Sequence, residues 1–232
     1  MITAKTNSQI KLYKKLKLKK YRDELGMFLI YGEHLIEVAN QVGAIEVIIT
    51  SNPNYEGLLV SKEIMQDLSQ TETTFEIMAV CKKVMINKSN NQILALDDVR
   101  DPNNLGALIR SAVAFGFETV LLSEQSADLY NEKVIRASQG AIFHVAVKRG
   151  NLVVEIARLK DKGYQIVIAD AHGNDNYLPK ANLQVLVLGN EGSGISTPVK
   201  LLATNTVTIK TKVVESLNVA VAGAILMYRL QK

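Results

Sequence analysis

The sequence predicts an α/β protein in two parts. A small N-terminal α/β unit spans residues 1–86, a linker 87–92, and a mostly parallel sheet flanked by helices 93–232. Two observations carry this prediction. From residue 93 onward, apolar strand runs alternate with helical patterns, as in βαβ units with helices on both faces of one sheet. Before that stretch, the polar run Asn-Lys-Ser-Asn-Asn at 87–91 breaks the pattern and marks a boundary.

In the first part, leucines Leu12, Leu16 and Leu18 lie among lysines near helical spacing, and one basic amphipathic helix is expected over 7–22. Phe-Leu-Ile-Tyr-Gly (28–32) reads as a short strand, and 33–42 as a helix. Residues 46–50 and 57–61 read as strands, with Ser61 an N-cap for the helical segment that follows, and 75–84 as another strand. In the second part, strands are expected at 93–98, 118–122, 144–148, 164–169, 185–188 and 206–209. Helices are expected at 103–115, 130–139, 151–162, 197–203 and 216–230.

The 232 residues are 47% hydrophobic and 22% charged, which excludes a mainly disordered chain. No apolar run reaches the roughly 18 residues of a membrane span, and the first twenty residues lack the apolar core of a secretory signal, so no membrane partner is expected. The single cysteine, Cys81, excludes an internal disulfide. The three histidines, His34, His144 and His172, are too scattered for a metal site. A reducing, cytoplasmic setting is expected. Residues 1–22 carry eight basic side chains and no acidic one, while the rest of the chain holds 19 basic and 23 acidic groups. The whole positive excess sits at the N-terminus. Lys11, Lys14, Lys15, Lys19, Lys20 and Arg22 form a candidate nucleic-acid patch, although a solvated helix face would read the same way.

Ligands of parallel sheets bind beyond the carboxyl ends of strands, which directs attention to three loops. In Asp-Pro-Asn-Asn-Leu-Gly-Ala-Leu-Ile-Arg (101–110), Asn103 or Asn104 is placed to cap a helix. Gly106, four residues before Arg110, is expected to leave the guanidinium an open path to the helix N-terminus, where anions bind. Ala107, Ser111 and Ala114 form a small-residue stripe. In the second loop Gly189, Gly192 and Gly194 flank Asn190 and Glu191. This is neither a P-loop nor a dinucleotide fingerprint. Glycines let a ligand approach the backbone, and a glutamate there suits a ligand with hydroxyls or positive charge rather than a phosphate. In the third loop Ser216 and Asn218 begin a helix made thin by Ala220, Ala222, Gly223 and Ala224, and Ser216 taken alone reads as its N-cap.

Together the segments 104–112, 186–196 and 214–226 resemble, in order and spacing, the three signature motifs of the SpoU/TrmH family of RNA ribose 2′-O-methyltransferases in the SPOUT superfamily. Residues 131–145 match the family's usual connection, and 5–37 are similar to the small RNA-binding domain of members that act on ribosomal RNA. The resemblance implies a deep trefoil knot in the sheet domain and a homodimer with the site near its interface. It implies S-adenosylmethionine as cofactor, gripped by backbone atoms near Leu188, Gly189, Asn190, Ile209, Leu217 and Asn218. It also implies that Arg110 is the catalytic arginine, that Asn104 holds the first motif, that Glu191 and Asn190 organise the glycine loop, and that Ser216 and Asn218 position the reacting groups. Because an arginine side chain keeps its proton to above pH ~12, the expected role of Arg110 is to clamp a phosphate and stabilise the developing alkoxide rather than to act as base. The third motif departs from the family's Ile-Pro-Met: here it reads Ile209-Lys210-Thr211-Lys212-Val213 and is one residue shorter.

The leading expectation is methyl transfer to 23S ribosomal RNA. The alternatives are a transfer-RNA ribose methyltransferase, a non-catalytic RNA-binding or ribosome-assembly factor on the same fold, which the altered third motif favours, and an unrelated nucleotide-binding enzyme.

Overall fold

The computed structural model describes residues 1–70, 74–86, 88, 91–174 and 181–231, with 171–174 described by backbone alone. Residues 87, 89 and 90 of the expected linker and the side chain of His172 therefore lie outside the described residues.

The N-terminal basic segment folds as two helices, not one: α1 (Ser8–Lys15) and α2 (Lys19–Leu25). Tertiary bonds replace the missing turn. The Arg22 guanidinium donates to the carbonyls of Leu16 (2.9 Å) and Lys17 (2.8 Å), which a continuous helix would have used itself. Asn7 caps α1 by accepting from the Gln9 and Ile10 N–H groups. β1 (Met27–Tyr31), α3 (Glu33–Gln41), β2 (Ile45–Thr50), β3 (Leu58–Leu59), α4 (Lys62–Leu68) and β4 (Ile77–Lys82) follow. Ser61 caps α4 as the sequence predicts, accepting from the Ile64 N–H. The sheet order is β1-β4-β2-β3, with β4 antiparallel to both of its neighbours.

The second sheet has six strands, all parallel, in the order β10-β8-β9-β5-β6-β7. Its elements are β5 (Gln92–Leu96), α5 (Pro102–Ala114), β6 (Thr119–Leu122), α6 (Glu132–Ser138), β7 (Ala146–Arg149), α7 (Leu152–Asp161), β8 (Gln165–Asn174), β9 (Gln184–Leu188), α8 (Thr197–Lys200), β10 (Asn205–Val207) and α9 (Val219–Leu230). Leu94, Leu96, Leu186 and Leu188 face a core against α5 and α9, while Ile93, Ala95, Val185 and Val187 face α7 and α8. After the buried polar residues Gln92, Thr119 and Gln184 at their starts, β5, β6 and β9 are apolar, which explains why they read as apolar runs.

Glycines set two helix contacts. A Cβ at Gly106 would lie 2.5 Å from the Ala137 Cβ and 2.6 Å from the Val134 carbonyl, so Gly106 exists for the packing of α5 on α6. This corrects the expected open path from Arg110 over Gly106: the bare turn is filled by α6. A Cβ at Gly223 would lie 2.4 Å from the Leu108 Cδ2, so the thin start of α9 does serve close packing on α5. The two sheets share a core, since Phe28, Ile30 and Ile77 of the first pack with Ile135, Ile142 and Phe143 of the second.

Candidate active site

The order of strands reverses around β5 and β9, and the loops leaving their carboxyl ends open a crevice at that switch point. A cavity of about 540 Å³ occupies it, within the range of small-molecule sites. Its walls come from the loop after β9, from residues 207–217 and from the first turns of α9.

Local capping decides which side chains are free to reach this region. Asp101, not Asn103 or Asn104, caps α5: its carboxylate accepts from the N–H groups of Asn103 (2.8 Å) and Asn104 (2.9 Å), with Pro102 at the first helical position. Asn104 is thereby released. Its Nδ2 donates to Glu191 Oε1 (3.0 Å), and its Oδ1 accepts from Asn218 Nδ2 (3.0 Å). One asparagine thus ties all three loops together. Asn218, not Ser216, caps α9, accepting from the Ala220 and Val221 N–H groups. Ser216 is left exposed on the cavity wall with no hydrogen bond among the described residues.

The glycine loop is held from several sides. Asn190 Oδ1 accepts from the N–H groups of Gly192 (2.9 Å) and Ser193 (3.0 Å), while its Nδ2 donates to the Asp98 carbonyl (2.8 Å). Asp97 Oδ2 accepts from the Ser196 N–H (2.8 Å). The Glu191 carboxylate also accepts from the N–H groups of Asp101 (3.2 Å) and Arg100 (3.4 Å). Burial pushes the Glu191 carboxyl up, but the bonds from Asn104 and the backbone outweigh it, and its pKa is lowered on balance. Gly189 has no room for any side chain: a Cβ there would lie 2.2 Å from the Gly194 carbonyl carbon and 2.3 Å from the Ile195 nitrogen.

The sequence-predicted residues therefore separate. Leu188, Gly189, Asn190, Glu191, Ile209, Ser216, Leu217 and Asn218 all line the cavity. Asn104 supports it from behind. Arg110 does not line it. It is exposed and makes no hydrogen bond or ion pair among the described residues. Asp97, Asp98 and Asp101 were not singled out by the sequence reading, although an Asp-Pro pair at a helix start is a capping signal. Among the described residues no cluster of His, Cys, Asp and Glu could hold a metal ion, and no helix is long and apolar enough to cross a membrane.

In the N-terminal patch, Lys11, Lys15 and Lys20 are exposed and make no ion pair among the described residues. Lys15 and Lys20 lie against the Tyr21 ring, 5.3 and 5.7 Å from its centroid. Lys14 pairs with Asp67 and Lys19 with Asp23. Arg22 is a correction: its side chain is 6% exposed and pairs with Asp128 at 2.5 Å, so it is an internal group and not a contact for RNA.

Residues 91–228 match the profile of the SpoU rRNA Methylase family, and 7–79 that of an MRM3-like substrate binding domain. A Bacillus subtilis protein, the 23S rRNA (guanosine(2553)-2′-O)-methyltransferase RlmP, is 33% identical over 99% of this chain and 98% of its own length. The structure of an AdoMet-bound rRNA methyltransferase from Sinorhizobium meliloti superposes with a TM-score of 0.85 at 25% identity, covering 98% of this chain and 95% of that one. An RNA 2′-O ribose methyltransferase structure superposes with a TM-score of 0.83 at 28% identity, over 98% and 96% of the two chains.

Proposed function

Because the chain belongs to the SpoU rRNA methylase family, we propose that it transfers a methyl group from S-adenosylmethionine to a ribose 2′-hydroxyl of 23S ribosomal RNA. The observation that carries this reading is the Asn218–Asn104–Glu191 chain, which joins three sequence-distant loops around one backbone-lined cavity.

The cavity suits the cofactor. Its glycine loop closes tightly on itself at Gly189, Leu188, Ile195 and Leu217 supply apolar wall, and Glu191 and Glu215 bring carboxylates that favour a positively charged ligand. S-adenosylmethionine, when bound, supplies an electrophilic methyl group on a sulfonium. The chain's own residues then have to bind, orient and handle charge. Asn190 fixes the loop conformation, and Asn104 and Glu191 hold α5 against it. Ser216, unbonded on the wall, is available to the ribose. With the cofactor bound, the methyl's bond to sulfur would break as its bond to the 2′-oxygen forms, and the hydroxyl proton would pass to solvent water. Arg110 clamps the adjacent phosphate and stabilises the developing alkoxide.

The position of Arg110 supports a homodimer. By helical geometry Arg110, Ala114, Ala107 and Ser111 form one strip on the uncovered side of α5. Next to its end, Phe115 meets Tyr228 of α9 edge-on at 5.7 Å, and Val221, Ile225 and Tyr228 of α9 are 50%, 36% and 62% exposed at helical spacing. A second copy seated on this apolar face would bring its own Arg110 to this cavity. We also read the trefoil knot of the resemblance into the path of 208–218 past the β9 loop, the domain limits 1–86 and 93–232 into the two sheets, and a cytoplasmic setting.

Methyl transfer from labelled S-adenosylmethionine to separate pools of unmodified ribosomal and transfer RNA tests the proposal. A 2′-O-methylated nucleoside from ribosomal RNA is expected. Label in transfer RNA alone would overturn the substrate, and no label with no cofactor binding would favour the non-catalytic factor. Arg110→Lys with near-normal turnover would overturn the clamp, since lysine lacks the bidentate geometry.

A further inference from the structure

Arg22 and Asp128 come from distant parts of the chain. Arg22 lies in α2, and Asp128 in the loop that leaves the carboxyl end of β6. Their side chains are 6% and 18% exposed and meet at 2.5 Å. The other nitrogen of the guanidinium closes the α1–α2 turn through the Leu16 and Lys17 carbonyls. Its Nε is buried without a hydrogen-bond partner among the described residues. A buried guanidinium is tolerated only with its carboxylate in place, so this pair tolerates little slippage.

The loop that presents Asp128 is itself clamped. Arg149, at the carboxyl end of β7, donates to the carbonyls of Ser123 (2.9 Å), Glu124 (3.1 Å), Ser126 (2.7 Å) and Ala127 (2.5 Å). The same loop is linked to the cavity wall through Asp98. Ser123 Oγ donates to Asp98 Oδ1 (2.6 Å), and the Asp98 carbonyl accepts from Asn190, which lines the cavity. Beside the pair, Lys83 binds Asp23 at 2.7 Å and lies 4.7 Å from the Tyr130 ring centroid, which in turn packs on Phe28. All strands of the second sheet are parallel, so loops after β5, β6, β7 and β9 share one rim.

We propose that Arg22 and Asp128 are positioning residues: their buried ion pair fixes the basic α1–α2 turn on the same rim of the sheet as the cavity, so that RNA phosphates held by Lys11, Lys15 and Lys20 present a ribose to the site. This rests on the RNA methyltransferase reading above. Asp128→Asn removes the charge and keeps the shape, while Arg149 continues to hold the loop.

The test compares kcat and KM of wild type and Asp128→Asn on a full 23S ribosomal RNA transcript and on the shortest hairpin still methylated, with melting temperature and S-adenosylmethionine affinity as controls. On the full transcript kcat/KM should fall about 10-fold, mainly through KM, with the hairpin rate and cofactor affinity unchanged. Lys15→Ala with Lys20→Ala should weaken the wild type on the transcript and add nothing in the Asp128→Asn background. An equal loss on both RNAs, an additive lysine effect, or unchanged kinetics would overturn the proposal. If Asp128→Asn melts below the assay temperature, Arg22→Lys, which retains the charge and loses the fork, reads the same cycle. Wild type that methylates neither RNA would overturn the underlying reading and this inference with it.

Discussion

The cavity rim and the outward faces of α1 and α2 are both polar, but they are built under different rules. At the rim, side chains are committed to one another. Asn104 spends both ends of its amide on Glu191 and Asn218, Asn190 bonds in three directions, and Gly189 abuts backbone where a single methyl has no space. On α1 and α2 the lysines stand in solvent, and those that pair do so singly, Lys14 with Asp67 and Lys19 with Asp23. Committed networks fail sharply when one member is lost, whereas exposed charges contribute by degrees. The first region is suited to geometry, the second to attracting a polyanion.

Substitutions should follow that contrast. The largest effect is expected at Gly189→Ala: the added methyl must displace the 194–195 backbone, and a shift of about 1 Å at a reacting site costs on the order of 100-fold in methyl transfer. Single-turnover rates at saturating RNA would measure it, and a loss of only a few-fold would mean the loop is less rigid than its contacts imply.

Glu191→Gln comes next, at roughly 10-fold, because charge-assisted bonds from Asn104 and two backbone N–H groups are weakened together. Its sign with pH is fixed. A carboxyl whose folded pKa is lowered contributes stability that is complete above its ordinary value of 4.5 and is lost as pH falls below it. Melting curves of wild type should therefore lose more between neutral and acid pH than those of Glu191→Gln.

Removing Lys11, Lys15 and Lys20 together should weaken RNA binding without touching cofactor affinity. The slope of log K against log salt should become shallower by about 2 if each meets one phosphate of single-stranded RNA. An unchanged slope would make the patch a solvated helix face.

Asp23→Asn is the mildest case. Bonds from Lys19 and Lys83 hold the Asp23 carboxyl down to about 2, so its contribution is present above about 3.8 and lost as pH falls toward 2. Being mostly exposed, it is worth no more than about 1 kcal/mol, read as a small difference in acid unfolding.

The same contrast explains what the sequence made legible. Strand and helix order in the parallel sheet was readable because the central strands are apolar after their first residue, and the three motifs could be placed because they follow strands. Residues lining the cavity were placed through the family resemblance, whose motifs fall on the loops after β9 and before α9. What escaped was set by tertiary contacts. The break between α1 and α2 depends on Arg22 reaching back to Leu16 and Lys17, and its burial depends on Asp128, 106 residues away. The true role of Gly106 needed the neighbouring Ala137. The caps were misassigned for a simpler reason: Asp101 and Asn218 compete with nearby Asn103 and Ser216 for the same turns, and spacing alone does not choose between them.

The most direct test of the account is a calorimetric titration of wild type and Gly189→Ala with S-adenosylmethionine, each checked for cooperative melting. The expected result is saturable binding to wild type and binding on the order of 100-fold weaker to a folded Gly189→Ala. A folded Gly189→Ala that binds as tightly as wild type would contradict the placement of the cofactor against the glycine loop.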